Sequence, residues 1–160
     1  DTVGEVERCF GDALGVACQL LEEPVLLPGG GATQIALARH LRRQAESIPG
    51  REQLAIEAYA DALEVIPRTL AENAGLDPLH TLLPVVAHPA KGGDGAHTVG
   101  VDVLAKQPAN MLEQGVVEPL RITRQVLAGA TEAALSVLRI DDVLWAKQDP
   151  TVPDMPSEND

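Results

Sequence analysis

Apolar residues at Val3, Val6, Phe10, Leu14, Ala17, Cys18 and Leu21 recur at steps of three and four, the period of a helix with one buried stripe. A first helix is therefore predicted over residues 3–22, stopped by Pro24. Val25-Leu26-Leu27 reads as a short extended piece that runs into the turn Pro28-Gly29-Gly30-Gly31-Ala32. Beyond it Thr33 is placed to cap a helix over 34–47, with Ile35, Leu37, Ala38 and Leu41 as its apolar face and Arg39, His40, Arg42 and Arg43 on the wetter side. Pro49-Gly50 breaks that helix.

A third helix is predicted over 51–66, where Pro67 kinks it or starts another that continues to Ala74 and is closed by Gly75. Asp77 caps a short helix that has Pro78 at its first position and ends near Ala87. A loop over 88–98 leads to a strand over Val99–Leu104 and a turn over 105–108. Pro119 opens a long helix to about Leu138, and Ile140–Trp145 reads as a terminal strand. From Lys147 the composition turns to Pro, Asp, Ser and Glu, and the last 14 residues are expected to be a disordered acidic tail. The pattern predicts a mainly helical fold with a few short strands and no internal repeat.

Composition sharpens this picture. The 160 residues suffice for one domain with a real core, and hydrophobic residues make up 45% of them against only 2% aromatic. Such a core must be built from Ala, Leu, Val and Ile, which favours closely packed helices. A formal charge of −12, from 24 acidic against 12 basic residues, argues against nucleic acid or an anionic membrane surface as partner. Arginine outnumbers lysine, and Glu22, Glu23, Glu46, Glu52, Glu57, Asp61 and Glu64 stud the helix faces, a pattern that fits either a salt-adapted surface or an ordinary acidic protein. No apolar run reaches the roughly 18 residues of a spanning helix, and a soluble, cytoplasmic protein is expected. Cys9 and Cys18 lie about 13 Å apart along one helix, too far for a disulfide, and are expected to be small core residues in a reducing compartment. The chain opens on Asp1 rather than Met, which points to a piece of something longer.

Three features carry candidate chemistry. Consecutive glycines followed by a helix start let a backbone approach a ligand closely and offer free N–H groups, although the same pattern makes a plain turn. Asp12 sits among Phe10, Ala13 and Leu14 inside a helix, where Asp is a poor helix former, as a solvated carboxylate or one placed for a task. Asp102 alternates with Val101 and Val103, and Glu118 stands beside Pro119 at a helix entrance. Their plain readings are a strand's polar face and a favourable charge near a helix N-terminus. Gly92-Gly93-Asp94-Gly95 lacks the lysine of a phosphate loop and reads as a surface loop. His40, His80, His88 and His97 have no metal-ligand spacing among themselves or with cysteine, so no metal site is expected in this chain.

Longer motifs join these pieces. Glu7-Arg8-Cys9-Phe10-Gly11-Asp12-Ala13-Leu14, Val25 to Ala32, Ala60 to Gly75, Gly115 to Pro119, Ala130 to Ala134 and Leu138 to Asp142, in this order, resemble the C-terminal part of a group II chaperonin subunit of the archaeal thermosome type. The resemblance covers roughly residues 3–146. It implies that residues 1–23 belong to an intermediate domain and 24–146 to the C-terminal half of an equatorial, ATP-binding domain. It also implies an ATPase that folds unfolded protein clients in a double ring of subunits.

Residue by residue, Asp12 matches the aspartate that activates the water attacking the γ-phosphate of ATP. Gly29, Gly30 and Gly31 match the turn against the ribose and base. Glu118 matches the acid that binds the ribose hydroxyls, and Asp102 with Val103 the segment along the adenine. The family's phosphate loop, its magnesium-holding aspartate and its client-gripping apical domain belong to parts of a subunit that these residues do not match. Gly11, where many relatives carry His, and Gly15 each loosen the first helix by about 1 kcal/mol relative to Ala. The tail lacks the glycine- and methionine-rich end of some relatives. A truncated stand-alone module without ATPase activity, acting in assembly or protein interaction, is the alternative reading.

Overall fold

The computed structural model describes residues 2–87 and 97–141. In chain order its elements are α1 (Thr2–Glu22), β1 (Leu26–Pro28), α2 (Ala32–Ala45), α3 (Arg51–Asn73), α4 (Pro78–Ala87), β2 (Val99–Asp102), β3 (Gln107–Asn110), β4 (Val117–Pro119) and α5 (Leu120–Leu138). The glycine-rich loop over 92–95, the acidic tail and most of the expected terminal strand lie outside the described residues. Ile140 and Asp141, where that strand was expected to begin, have no strand partner and no regular structure. The chain divides after Arg124 into two units. In the second, Val126, Leu135, Val137 and Leu138 are exposed along α5.

The first unit is organised by α2 packed along α3. Ala38, Ala60 and Ala71 are fully buried, and side chains that stop at Cβ let helix backbones approach closely. Ile35, Ala71, Leu82, Val85 and Val101 form the central cluster, with Leu76 and Val99 packed against it. An aromatic-poor sequence thus makes its core from alanine and branched aliphatics.

Arg42 of α2 reaches across to α3, donating to Asp61 at 2.7 Å and also to Glu64. Hydrogen bonding to Glu64, and then to Asp61, holds its guanidinium pKa above the ordinary value. Arg42→Ala should lower stability by about 1 kcal/mol in urea unfolding. Arg42→Lys should recover only part of that, because one ammonium cannot reproduce a planar fork; an unchanged midpoint for Arg42→Ala would discount the bridge.

Helix boundaries differ from the expected ones for local reasons. Gly31, in the left-handed region at φ 75°, precedes α2, and the Thr33 hydroxyl donates to the Pro28 carbonyl at 3.1 Å instead of capping the helix. α3 runs unbroken through Pro67, which is buried. It ends as expected at Gly75, whose N–H donates to Glu72 while that of Leu76 donates to Ala71, both at 2.9 Å. The Asp77 carboxylate accepts the Leu79 N–H at 2.9 Å and caps α4.

The largest departure concerns α1. The helix forms over the predicted span, but none of its residues is buried, and Val3, Val6, Phe10, Leu14 and Leu21 are exposed. Cys9 and Cys18, expected in the core, are exposed as well. Period alone defines an apolar face; burying it takes a partner, and among the described residues α1 makes its main contact with β4. No described helix is long and apolar enough to cross a membrane.

Candidate functional site

The strands arrange the predicted site residues. β1 pairs antiparallel with β4, setting Leu27 opposite Glu118 and Pro28 opposite Val117. The ladder continues into the glycine turn, where the Gly29 N–H donates to the Val116 carbonyl at 2.9 Å. β2 pairs antiparallel with β3, from Val99 opposite Asn110 to Asp102 opposite Gln107. This hairpin is fastened to the same turn, because the Val101 N–H donates to the Gly30 carbonyl at 2.8 Å. Gly29–Gly31, Val101–Asp102 and Val116–Glu118 therefore form one hydrogen-bonded assembly, in which the glycine turn meets two segments far along the chain from it.

The glycines are required by packing. A Cβ on Gly29 would lie 2.8 Å from Val116 Cγ1, one on Gly30 2.6 Å from Met111 Sδ, and one on Gly31 2.5 Å from Pro67 Cβ. Gly30 and Gly31 also have positive φ, 60° and 75°. On the other side of the contact, a Cβ on Gly100 would stand 2.8 Å from the carbonyl oxygens of both Gly29 and Gly30. Gly100 was missed in the sequence, although a glycine inside Val-Gly-Val is the usual sign of a close backbone approach.

The two carboxylates have defined tasks and spare capacity. Asp102 ends β2, where one oxygen accepts the N–H groups of Leu104 and Ala105, each at 2.9 Å. This turns the chain earlier than predicted and leaves Val103 exposed in the turn rather than in the strand. Lys106 completes the turn at φ 56°. Glu118 is half-buried, in β4 rather than simply at a helix entrance, and its Oε1 accepts the Thr123 hydroxyl at 3.0 Å. Each carboxylate keeps a second oxygen, an acceptor suited to a hydroxyl or amine donor on a ligand.

Asp12 stands apart. It is exposed on α1, ten residues before Glu22, about 15 Å along the helix axis. No described group of His, Cys, Asp and Glu could hold a metal ion. A cleft of about 440 Å³ between α3 and α4, lined by Arg68, Glu72, Leu82 and Leu83 among others, includes none of the candidate residues.

A sequence model of the TCP-1/cpn60 chaperonin family matches residues 1–148. A thermosome subunit of Methanopyrus kandleri is 53% identical over 146 residues, 91% of this chain and 26% of that protein. Thermosome subunit 1 of Haloferax volcanii is 49% identical over 144 residues, 90% of this chain and 25% of that protein. This chain thus spans about a quarter of the length of these relatives. The solved open-state monomer of a group II chaperonin from Methanococcoides burtonii matches with a TM-score of 0.74 and 37% identity, over 87% of this chain and 34% of that one. The mainly helical fold with its short strands is that of part of a chaperonin equatorial domain. Matched by the family's sequence pattern over nearly its whole length and by relatives at about half identity, this chain belongs to the TCP-1/cpn60 chaperonin family.

Proposed function

We propose that this chain works as part of an ATP-dependent chaperonin subunit that assists protein folding in a cytoplasmic double ring, supplying the water-activating carboxylate and the ribose and adenine side of the nucleotide pocket. Residues 1–23 belong to the intermediate domain in this reading, and 24–146 to the C-terminal half of the equatorial domain. The observation that carries it is the assembly of the glycine turn, the end of β2 and Glu118 through backbone hydrogen bonds to Gly29 and Gly30. These are the residues that the resemblance implies for one ligand.

In the proposed pocket the spare oxygen of Glu118 accepts a ribose hydroxyl while Thr123 steadies the other. The glycine turn forms a wall with no projecting side chain, and Asp102 and Val103 lie along the base. Asp12 accepts a proton from, or orients, the attacking water. ATP with magnesium supplies the phosphoryl group, and the metal's ligands come mostly from parts of a subunit that this chain does not contain.

Nucleotide titration of a complete subunit carrying this chain tests the reading. Glu118→Ala should weaken ATP binding by about 10-fold or more, the scale of one hydrogen bond to a charged group. Thr123→Val keeps the carboxylate and should cost less. Equal affinity for the parent and Glu118→Ala would remove Glu118 from the pocket.

A further inference from the structure

The junction between α1 and α5 carries charges that each helix alone disfavours. α1 ends at Glu22, followed directly by Glu23, with no basic residue in its last turn, where the partial negative charge of a helix C-terminus repels carboxylates. α5 opens with Arg121 and no acidic residue in its first turn, where the partial positive charge repels cations, and Arg124 follows just beyond. The two mismatches meet. Arg121 donates to Glu22, and Arg124 donates to Glu23 at 3.1 Å.

These contacts matter because little else holds α1. None of its residues is buried, and the chain leaves it through Pro24 to Val25, whose carbonyl accepts the Leu120 N–H at 3.0 Å. That bond and the adjoining strand pairing tie down the point from which α1 departs, and the two ion pairs bridge the end of α1 to the start of α5. Both pairs are partly exposed, so each is weak and easily exchanged for water.

We propose that Arg121 and Arg124 form, with Glu22 and Glu23, a two-pair charge latch that sets the angle at which α1 leaves the glycine turn. The latch acts on geometry and not on chemistry: Arg121 and Arg124 are positioning residues. Its consequence for catalysis rests on the reading of Asp12 given above. Asp12 lies about 15 Å along α1 from Glu22, so a change of angle at the base moves the carboxylate by a proportionate arc.

Spin labels on Cys9, in a Cys18→Ser background, and on Gln44→Cys of α2 test the latch in this chain. The parent should give one narrow distance distribution. Arg121→Glu with Arg124→Glu should at least double its width while helicity by circular dichroism is retained. Adding Glu22→Arg and Glu23→Arg restores complementarity, with each charge now matched to its helix end, and should restore the narrow distribution. An unchanged width in the double variant overturns the latch. So does a fourfold variant that remains broad, which also covers the case of a double variant that fails to fold.

In a complete subunit the double reversal should lower kcat for ATP at least 10-fold with KM within about 2-fold, and the fourfold variant should recover it. If the widths change as expected and kcat does not, the latch stands and the assignment of Asp12 falls.

Discussion

Gly100→Ala should lower the stability of the chain by about 3 kcal/mol, read as a shift of the urea midpoint, the range of an overpacked core position. The added methyl would stand 2.8 Å from two carbonyl oxygens, those of Gly29 and Gly30, and 2.9 Å from Met111 Cγ. A side chain could swing aside, but the carbonyls belong to a turn fixed by the Gly29 to Val116 and Val101 to Gly30 hydrogen bonds. Either β2 lifts from the turn or those bonds stretch. Gly115→Ala gives the comparison, because a Cβ there meets nothing within 4 Å and only the positive φ of 70° opposes it. That variant should lose about 1–2 kcal/mol. Equal midpoints for the two would refute a role for close approach at Gly100.

Asp12→Ala should lower ATP turnover by a complete subunit by about 10²–10⁴-fold, the usual contribution of a positioned acid or base. Nucleotide affinity should stay within about 2-fold, because the proposed ribose and base contacts come from other elements. Folding cannot supply the loss. Asp12 is exposed on a helix without a buried residue, and Ala is the better helix former by several tenths of a kcal/mol, so the melting temperature should hold or rise slightly. Asp12→Asn keeps an acceptor oxygen without the charge and separates the roles. Recovery of most of the turnover would indicate water orientation, and loss equal to that of Ala would indicate proton transfer. Parent-like turnover in Asp12→Ala would end the assignment.

Elements with long periods or explicit caps were legible in the sequence. α1 follows its apolar period closely, and the Gly75 end of α3 and the Asp77 start of α4 follow from cap chemistry. β3 and β4 were not legible. Gln107-Pro-Ala-Asn has neither alternation nor a β-branched residue, and three-residue β4 is too short to show any period. Burial of α1 was misjudged because an apolar stripe records that a face is sticky, and says nothing of what covers it.

The candidate residues came from the family resemblance, and the packing around them was not legible in the sequence. Three glycines in a row suggested approach to a ligand, yet Val116, Met111 and Pro67, all far away in sequence, already exclude side chains there. Asp102 is a strand position as expected, but the last one rather than one inside the strand, because its own side chain bends the chain out of it. Nothing in the sequence marks Arg121 and Arg124, since their partners Glu22 and Glu23 lie at the end of another helix.

The pairing of β1 with β4 also bears on how the molecule comes together in time. Arg121 and Glu22 are 99 residues apart in sequence, and the strand pairing joins equally remote segments. Closing so long a loop costs chain entropy that local contacts must first offset. α2 and α3 are sequence neighbours with a short connection, and they can dock early. The glycine turn acquires its walls only when β2 and β4 return to it, so the candidate site is completed after the local helix pair has a chance to form.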